Sequence, residues 1–335
     1  MQRNYPSRAL RAALLAAAAV AIAGAAWANA NHAGFGTISA PVPHRAPHNV
    51  VFAPGAGAPF RQYSNASYGT GGAAMRNRSN GSINISGVTG AAQDAWIYWT
   101  VLVSRSPAKQ QKIRVIRRFP LGAPSNVLLV GDLIATPGDP CWGSSKAAVY
   151  RAQVPTNIAT GNGLYQIEMN ATQTAVTDGS DPWAAAVAFP AAEGASLVIV
   201  GKGSSSVYLY DFFPAEIESG AALSYTLSVP GGMGLNATLD SFGADGQMGR
   251  FGSREGDAAS GETVFVNGTQ ISGPGSPADT DSDWNGNSGF PLPQLWDDSG
   301  HDISGIAQQG STTLGVSVNS VSDCIIPVGN VLGTH

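Results

Sequence analysis

Residues 95–103, AWIYWTVLV, form an unbroken aromatic and β-branched run, the pattern of a strand buried on both faces. Runs of strand length recur at 127–135, 147–154, 164–169, 184–189, 195–200, 207–213 and 223–229, most of them separated by Gly, Pro, Asp or Ser. Between two of these, Lys202-Gly203-Ser204-Ser205 predicts a hairpin turn, because glycine tolerates positive φ. In 109–118, KQQKIRVIRR, polarity alternates instead: on a strand, Lys112 and Arg114 share one face and Ile113 and Val115 the other. No stretch beyond the N-terminal segment sustains helical apolar spacing for three turns, so the chain reads as all-β.

The start of the chain has a different pattern. Arg3, Arg8 and Arg11 lead into an Ala/Leu/Val run at 12–26 and A-x-A triplets at 26–28 and 28–30, which predicts a secretory signal peptide over 1–28. The run is shorter than the roughly 20 residues that span a bilayer and no second one follows, so no transmembrane segment is expected. From 29 to 86 the composition is mostly Gly, Ala, Pro, Ser and Asn, too poor in large apolar residues to order itself; a flexible arm is expected, with a strand near 82–88. The rest divides into two expected tandem β-sandwich or jelly-roll-like lobes, 87–220 and 221–335. That division rests on a weak internal similarity, in which 127–135 resembles 264–272 and 150–167 resembles 301–318.

Composition sharpens the class. Only 12% of residues are charged, while Gly numbers 42 and Pro 21, so solubility rests on Ser, Thr, Asn and Gly, as in extracellular β proteins with many tight turns. A net charge of −4 argues against a general affinity for nucleic acid. Cys141 and Cys324 are the two cysteines, and in an exported chain such a pair favours one disulfide, here joining the middle of the chain to its end. The location expected is secreted: periplasmic, extracellular or cell-surface.

The series Ala95-Trp-Ile-Tyr-Trp99, Asp139-Pro-Cys-Trp-Gly143, Tyr150-Arg-Ala-Gln-Val154 with Gly161-Asn-Gly-Leu-Tyr165, 193–200 (EGASLVIV) and Gly243-Ala-Asp-Gly-Gln247 resembles a set found in uncharacterised secreted or cell-surface β-sandwich proteins of bacteria. The resemblance runs from Gly87 to the C-terminus. It implies an exported β-sandwich and carries no catalytic residue onto this chain.

Candidate chemistry concentrates in 279–302, DTDSDWNGNSGFPLPQLWDDSGHD. Asp281-Ser-Asp283-Trp-Asn285-Gly286 matches the opening of a D-x-D-x-N-G calcium loop, but Leu292 stands where the bidentate Glu should be, which excludes an EF-hand. A Ca2+ site of another geometry, drawn from Asp279, Asp281, Asp283, Asn285 and Asp297, competes with a plain Asx-rich turn. Ser288, His301 and Asp302 are the candidates for nucleophilic catalysis, in a chain order that fits no known triad. The acid pairs Asp240 with Asp245 and Asp297 with Asp298 have the residue types that glycoside hydrolysis requires.

Two further groups suggest binding. Lys112, Arg114 and Arg117 lie in a segment holding five of the chain's 18 Lys and Arg residues and suit an anionic glycan or envelope surface; the alternative is an edge strand guarded by its charges. Trp284 and Trp296, with Trp142 and Trp183, suit stacking on sugars or plugging the end of a sandwich. The function expected is a binding or envelope-associated one, adhesin-like and toward glycans, with a secreted polymer hydrolase as the alternative.

Overall fold

In the computed structural model the described residues are 57–335, apart from 120–122, 171–173, 181, 183–186, 212–216, 218–219, 245, 247–260, 280–281, 287–294 and 321–322. The expected signal peptide and the arm up to residue 56 lie outside them. The strands are β1 (Arg61–Ala74), β2 (Asn80–Ile85), β3 (Ala92–Val103), β4 (Gln110–Arg117), β5 (Ser125–Ala135), β6 (Lys146–Gln153), β7 (Gly163–Glu168) and β8 (Ala191–Lys202). They continue as β9 (Ser205–Asp211), β10 (Ala222–Ser228), β11 (Ala237–Ala244), β12 (Thr263–Val266), β13 (Thr269–Ser272), β14 (Trp296–Asp302), β15 (Thr313–Asn319) and β16 (Ile326–Thr334). There is no helix among the described residues, and the protein is all-β.

Twelve strands form one sheet, in the order β14-β11-β16-β9-β1-β8-β3-β6-β5-β4-β7-β2, and four form a second, β10-β15-β12-β13. The neighbour pattern repeats eight strands later. The run β8-β3-β6 with β5-β4-β7-β2 recurs as β16-β11-β14 with β13-β12-β15-β10, except that β5 pairs with β6 whereas β13 and β14 lie in different sheets. The 150–167 and 301–318 segments correspond in this order: each leaves a strand, makes a tight turn and enters the next, with Ala159 N donating to Pro155 O in the first turn and Ala307 N to Ile303 O in the second. The other proposed match fails, because 127–135 lies within the single strand β5 whereas 264–272 covers the β12–β13 hairpin. Asn267 and Gly268 close that hairpin at φ 48° and 81°, the dihedrals of a two-residue turn matched to strand twist.

Alternation explains the burial. Along β3, Ala95, Ile97, Trp99 and Val101 enter one core and Trp96, Tyr98 and Leu102 another, so the apolar run is buried on both faces as expected. Strand β8 does the same with Leu197 and Ile199 against Val198 and Val200. A third core begins at Tyr208, ahead of the expected lobe boundary at 221, and is filled by β9–β11, β12, β13, β15 and β16.

The segment expected as an arm carries β1, a 14-residue strand. Ala66 to Ala74 pair with β8, and Arg61 to Ala66 pair with β9. Since both partners are antiparallel to β1, β8 and β9 run the same way, and the expected hairpin at 202–205 is instead a two-residue step past Ala66. Gly203 permits it: a Cβ there would meet Ala66 O at 2.4 Å. Residues 184–186 of the expected strand at 184–189 lie outside the described residues, and Val187 to Phe189 are not strand.

Cys141 and Cys324 form the expected disulfide, with a Cα–Cα distance of 6.0 Å. It joins the β5–β6 connection to the β15–β16 connection. Beside it, Trp142 covers the guanidinium of Arg76 at 4.3 Å. Arg76 lies just beyond β1 and forks onto Glu193 of β8, Nε to Oε1 and Nη2 to Oε2 both at 2.8 Å, with both side chains fully buried. Burial pushes the Glu193 carboxyl upward and Arg76 pulls it back only in part. A buried pair of this kind costs about as much to desolvate as it returns, yet removing one member strands the other. Arg76→Ala is therefore expected to lose about 3–5 kcal/mol in urea unfolding, and Arg76→Met with Glu193→Leu to stay near or above wild type; a single-mutant loss below about 1 kcal/mol would contradict the assignment.

Candidate functional site

Strand β4 carries the cationic segment: β5 flanks it along Gln110–Arg117 and β7 flanks Arg114–Arg117 on the other side, so edge protection does not account for the charge of Arg114. Ile113 and Val115 point into the core, and Lys112 and Arg114 stand on the outer face, as the alternation predicts. Register places Lys112 beside Val130, Arg114 between Leu128 and Glu168, and Ile116 between Asn126 and Gln166. Arg114 Nη1 donates to Asn126 Oδ1 at 2.8 Å and its Nε lies 3.7 Å from Glu168 Oε2.

Arg117 departs from the expectation. It shares parity with Ile113 and Val115, so its guanidinium turns inward at the strand's end, 4.5 Å over the Tyr165 ring, and donates to Asn162 O. Arg118 takes the outer position instead, with Nε donating to Gln166 Oε1 at 3.0 Å. Apolar neighbours complete the face. Phe119, Leu128, Val130 and Leu164 are 39–51% exposed, and they are four of the five exposed large hydrophobic residues among the described ones. The pattern of β5, SNVLLVGDLIA, is apolar on both parities around 127–130, so sequence alone did not show which side stays bare. Pairing with β4 decides it: Leu128 and Val130 lie opposite Arg114 and Lys112 on the outer face.

The 279–302 segment is built differently. Trp284 and Trp296 are 2% and 0% exposed, so neither is a stacking platform. Trp296 seats on Gly194 of β8, where a Cβ would come within 2.5 Å of its ring, and donates Nε1 to Ser196 Oγ at 2.9 Å. Trp183, Ser288 and Asp281 lie outside the described residues. His301 Nε2 sits 2.7 Å from Asp283 Oδ1, Asp302 caps Ser304 N at 2.9 Å, and Asp297 Oδ1 accepts from Gly286 N at 2.8 Å. Among the described residues no three His, Cys, Asp or Glu are grouped to hold a metal ion.

Of the acid pairs, Asp240 with Asp245 is left open because Asp245 lies outside the described residues, and Asp297 and Asp298 turn to different partners. Asp297 turns toward Gly286, while Asp298 on the opposite side of β14 accepts from Ser196 Oγ at 2.6 Å. Its neighbour is Asp240 of β11, which accepts from Tyr68 and, at 3.1 Å, from Thr70 Oγ1, both on β1. Burial pushes Asp298 up to about 7 against the hydrogen bond from Ser196, and the Asp240 charge adds to the rise. Asp240 is raised by burial too, opposed by its bonds from Tyr68 and Thr70. A carboxyl raised on folding favours the folded state while protonated; that contribution is complete below an unfolded value of about 3.9 and is lost as pH climbs through the folded one. Asp298→Asn is thus expected to gain thermal stability relative to wild type as pH rises from 5 to 8, read by calorimetry at fixed ionic strength. A difference that shrinks over that window would refute the assignment.

No family model matches the chain, and no curated protein does. Among solved structures, the chain is similar to PNGF-II at 7% identity over 88% of this chain and 65% of that one, with a TM-score of 0.23. BuGH86 in complex with neoagarooctaose follows at 8% identity, covering 81% of this chain and 32% of that one, TM-score 0.21. The CUB1-EGF-CUB2 domain of human MASP-1/3 is similar at 10%, covering 80% and 98%, TM-score 0.18. The chain spans about a third of BuGH86 and just under two thirds of PNGF-II. At these TM-scores the likenesses assign the chain to no family and carry no argument about its activity.

Proposed function

We propose that the protein is an exported binding protein of two tandem jelly-roll-like lobes, β1–β8 and β9–β16, and that it docks an anionic envelope glycan on the outer face of β5-β4-β7-β2. One observation carries this: Lys112 and Arg114 of β4, with Arg118 just beyond its end, stand among exposed Leu128, Val130 and Leu164. Successive outward positions on a strand lie about 6.7 Å apart, so the first two cations meet a ligand at the scale of one sugar and Arg118 extends the row. Arginine forks suit carboxylate, sulfate or phosphate substituents, and aliphatic side chains suit the C–H faces of pyranose rings. The face bears three cations against Glu168 and Asp132, in a chain of net charge −4, so it concentrates positive charge locally without making the protein basic.

A second reading, a polymer hydrolase, draws on Asp240 and Asp298: burial raises both carboxyls, Asp298 up to about 7, and two acids with raised affinity for a proton are the residue types that acid–base hydrolysis uses. One experiment separates the two. Wild type is expected to be retained on immobilised heparin at low salt, to elute as salt rises and to release no product. Lys112→Glu with Arg114→Glu and Arg118→Glu is expected to lower affinity about 10- to 100-fold, from three exposed contacts of roughly 0.5–1 kcal/mol each. Unchanged retention of the triple variant would remove the binding face, and product release abolished by Asp298→Asn would replace the binding reading with the hydrolase.

A further inference from the structure

A depression of about 480 Å³ lies elsewhere on the protein, where the start of β3 meets the end of β6; its polar lining is Gln93, Asp94, Gln153, Thr156 and Asn157. The backbone makes it: β3 bulges against β8 between Ala92 and Asp94, and the chain leaving β6 turns sharply at Pro155, with Ala159 N donating back to Pro155 O at 2.9 Å. Asp94 is fixed by four donors from three strands. Its Oδ1 accepts from Ala95 N at 2.9 Å and Gln153 Nε2 at 2.8 Å, and its Oδ2 from Tyr63 OH at 2.7 Å and Trp96 Nε1 at 3.2 Å.

That saturation determines what the depression offers a ligand. Gln153 commits its amide nitrogen to Asp94, and Gln93 commits its own to Gly201 O at 2.9 Å. Each then has a carbonyl oxygen left to accept and one N–H left to donate, beside the hydroxyl of Thr156 and the amide of Asn157, a mixed donor and acceptor lining that suits hydroxyl groups. Among the described residues no cationic side chain lines the space, and the Asp94 carboxylate opposes an anion. A neutral molecule with adjacent hydroxyl donors fits, and an acidic one does not. We infer that this depression is a binding subsite for a single neutral pyranose unit, held by the amide oxygens of Gln93 and Gln153. It is separate from the cationic face and stands or falls without it.

The test is titration of the full-length mature chain with neutral monosaccharides (glucose, galactose, mannose and N-acetylglucosamine), followed by two-dimensional NMR. The indole N–H of Trp96 reports directly, since it bonds both Asp94 and Tyr63. At least one sugar is expected to shift the Trp96 indole and the Gln93 and Gln153 side-chain amides saturably in the millimolar range. Gln153→Leu and Gln93→Leu are each expected to weaken that binding at least tenfold while leaving heparin retention as in wild type. No saturable shift at Trp96 with any of the four sugars, an equal response in Gln153→Leu, or saturation by ammonium ion in place of sugar would overturn the inference.

Discussion

Strand β1 is the constraint on which the rest of the architecture depends. By pairing with β8 along one part of its length and with β9 along the other, it makes 191–211 behave almost as one strand stepped at Gly203, and so joins the first eight strands to β9, β11, β14 and β16 in a single hydrogen-bonded sheet. One core is drawn from β1–β8, another from β9–β16, and a third shares residues of both, including Ala66 of β1, Val198 of β8 and Trp296 of β14. A strand buried on both faces has no side for charge. The one carboxylate on β8, Glu193, is accordingly matched by a forked guanidinium and capped by the tryptophan beside the disulfide.

Much of this order is legible in the residues, and its failures have physical causes. The all-apolar run of β3 and the alternating run of β4 announce their burial because large side chains fill their inward positions. Strand β1 is hidden for the opposite reason. Its positions toward β2 include Gly69 and Gly71, whose added Cβ atoms would come within 1.9 Å of Ser86 O and 2.8 Å of Asn84 O, so close backbone approach demands the composition that reads as a linker. The step at 202–205 has the residues of a hairpin because both need a glycine at a crowded turn; only the presence of β1 between β8 and β9 tells them apart. Conversely, Asn267-Gly268 is a strong local hairpin signal that an alignment of whole segments obscures.

The site was partly visible for the same reasons. Parity along β4 places Lys112 and Arg114 outward from sequence alone, and it also turns Arg117 inward and Arg118 outward, a consequence that follows once the strand's end is known. Leu128 and Val130 become meaningful only through register, because the apolar run of β5 does not distinguish a bare face from a covered one, whereas Leu164 shares its parity with Gln166 and Glu168. The acid- and tryptophan-rich 279–302 segment attracts notice by composition, yet its tryptophans are packing, and of its described acids Asp302 and Asp297 accept from turn N–H groups while Asp283 and Asp298 bond His301 and Ser196. Asp298 is the exception that sequence mispaired: it lies across from Phe242, two positions from the Gly300 that faces Asp240, so it feels the Asp240 charge while Asp297 turns to Gly286.

The central claim is that one sheet face, outward on β5-β4-β7-β2, meets an anionic glycan. Covalent footprinting of the intact protein, free and on saturating heparin, tests it most directly, because Leu235 offers an exposed apolar residue away from that face as an internal control. The account predicts protection of Lys112, Leu128, Val130 and Leu164 with Leu235 unchanged; protection at other positions with this face still fully reactive would contradict it.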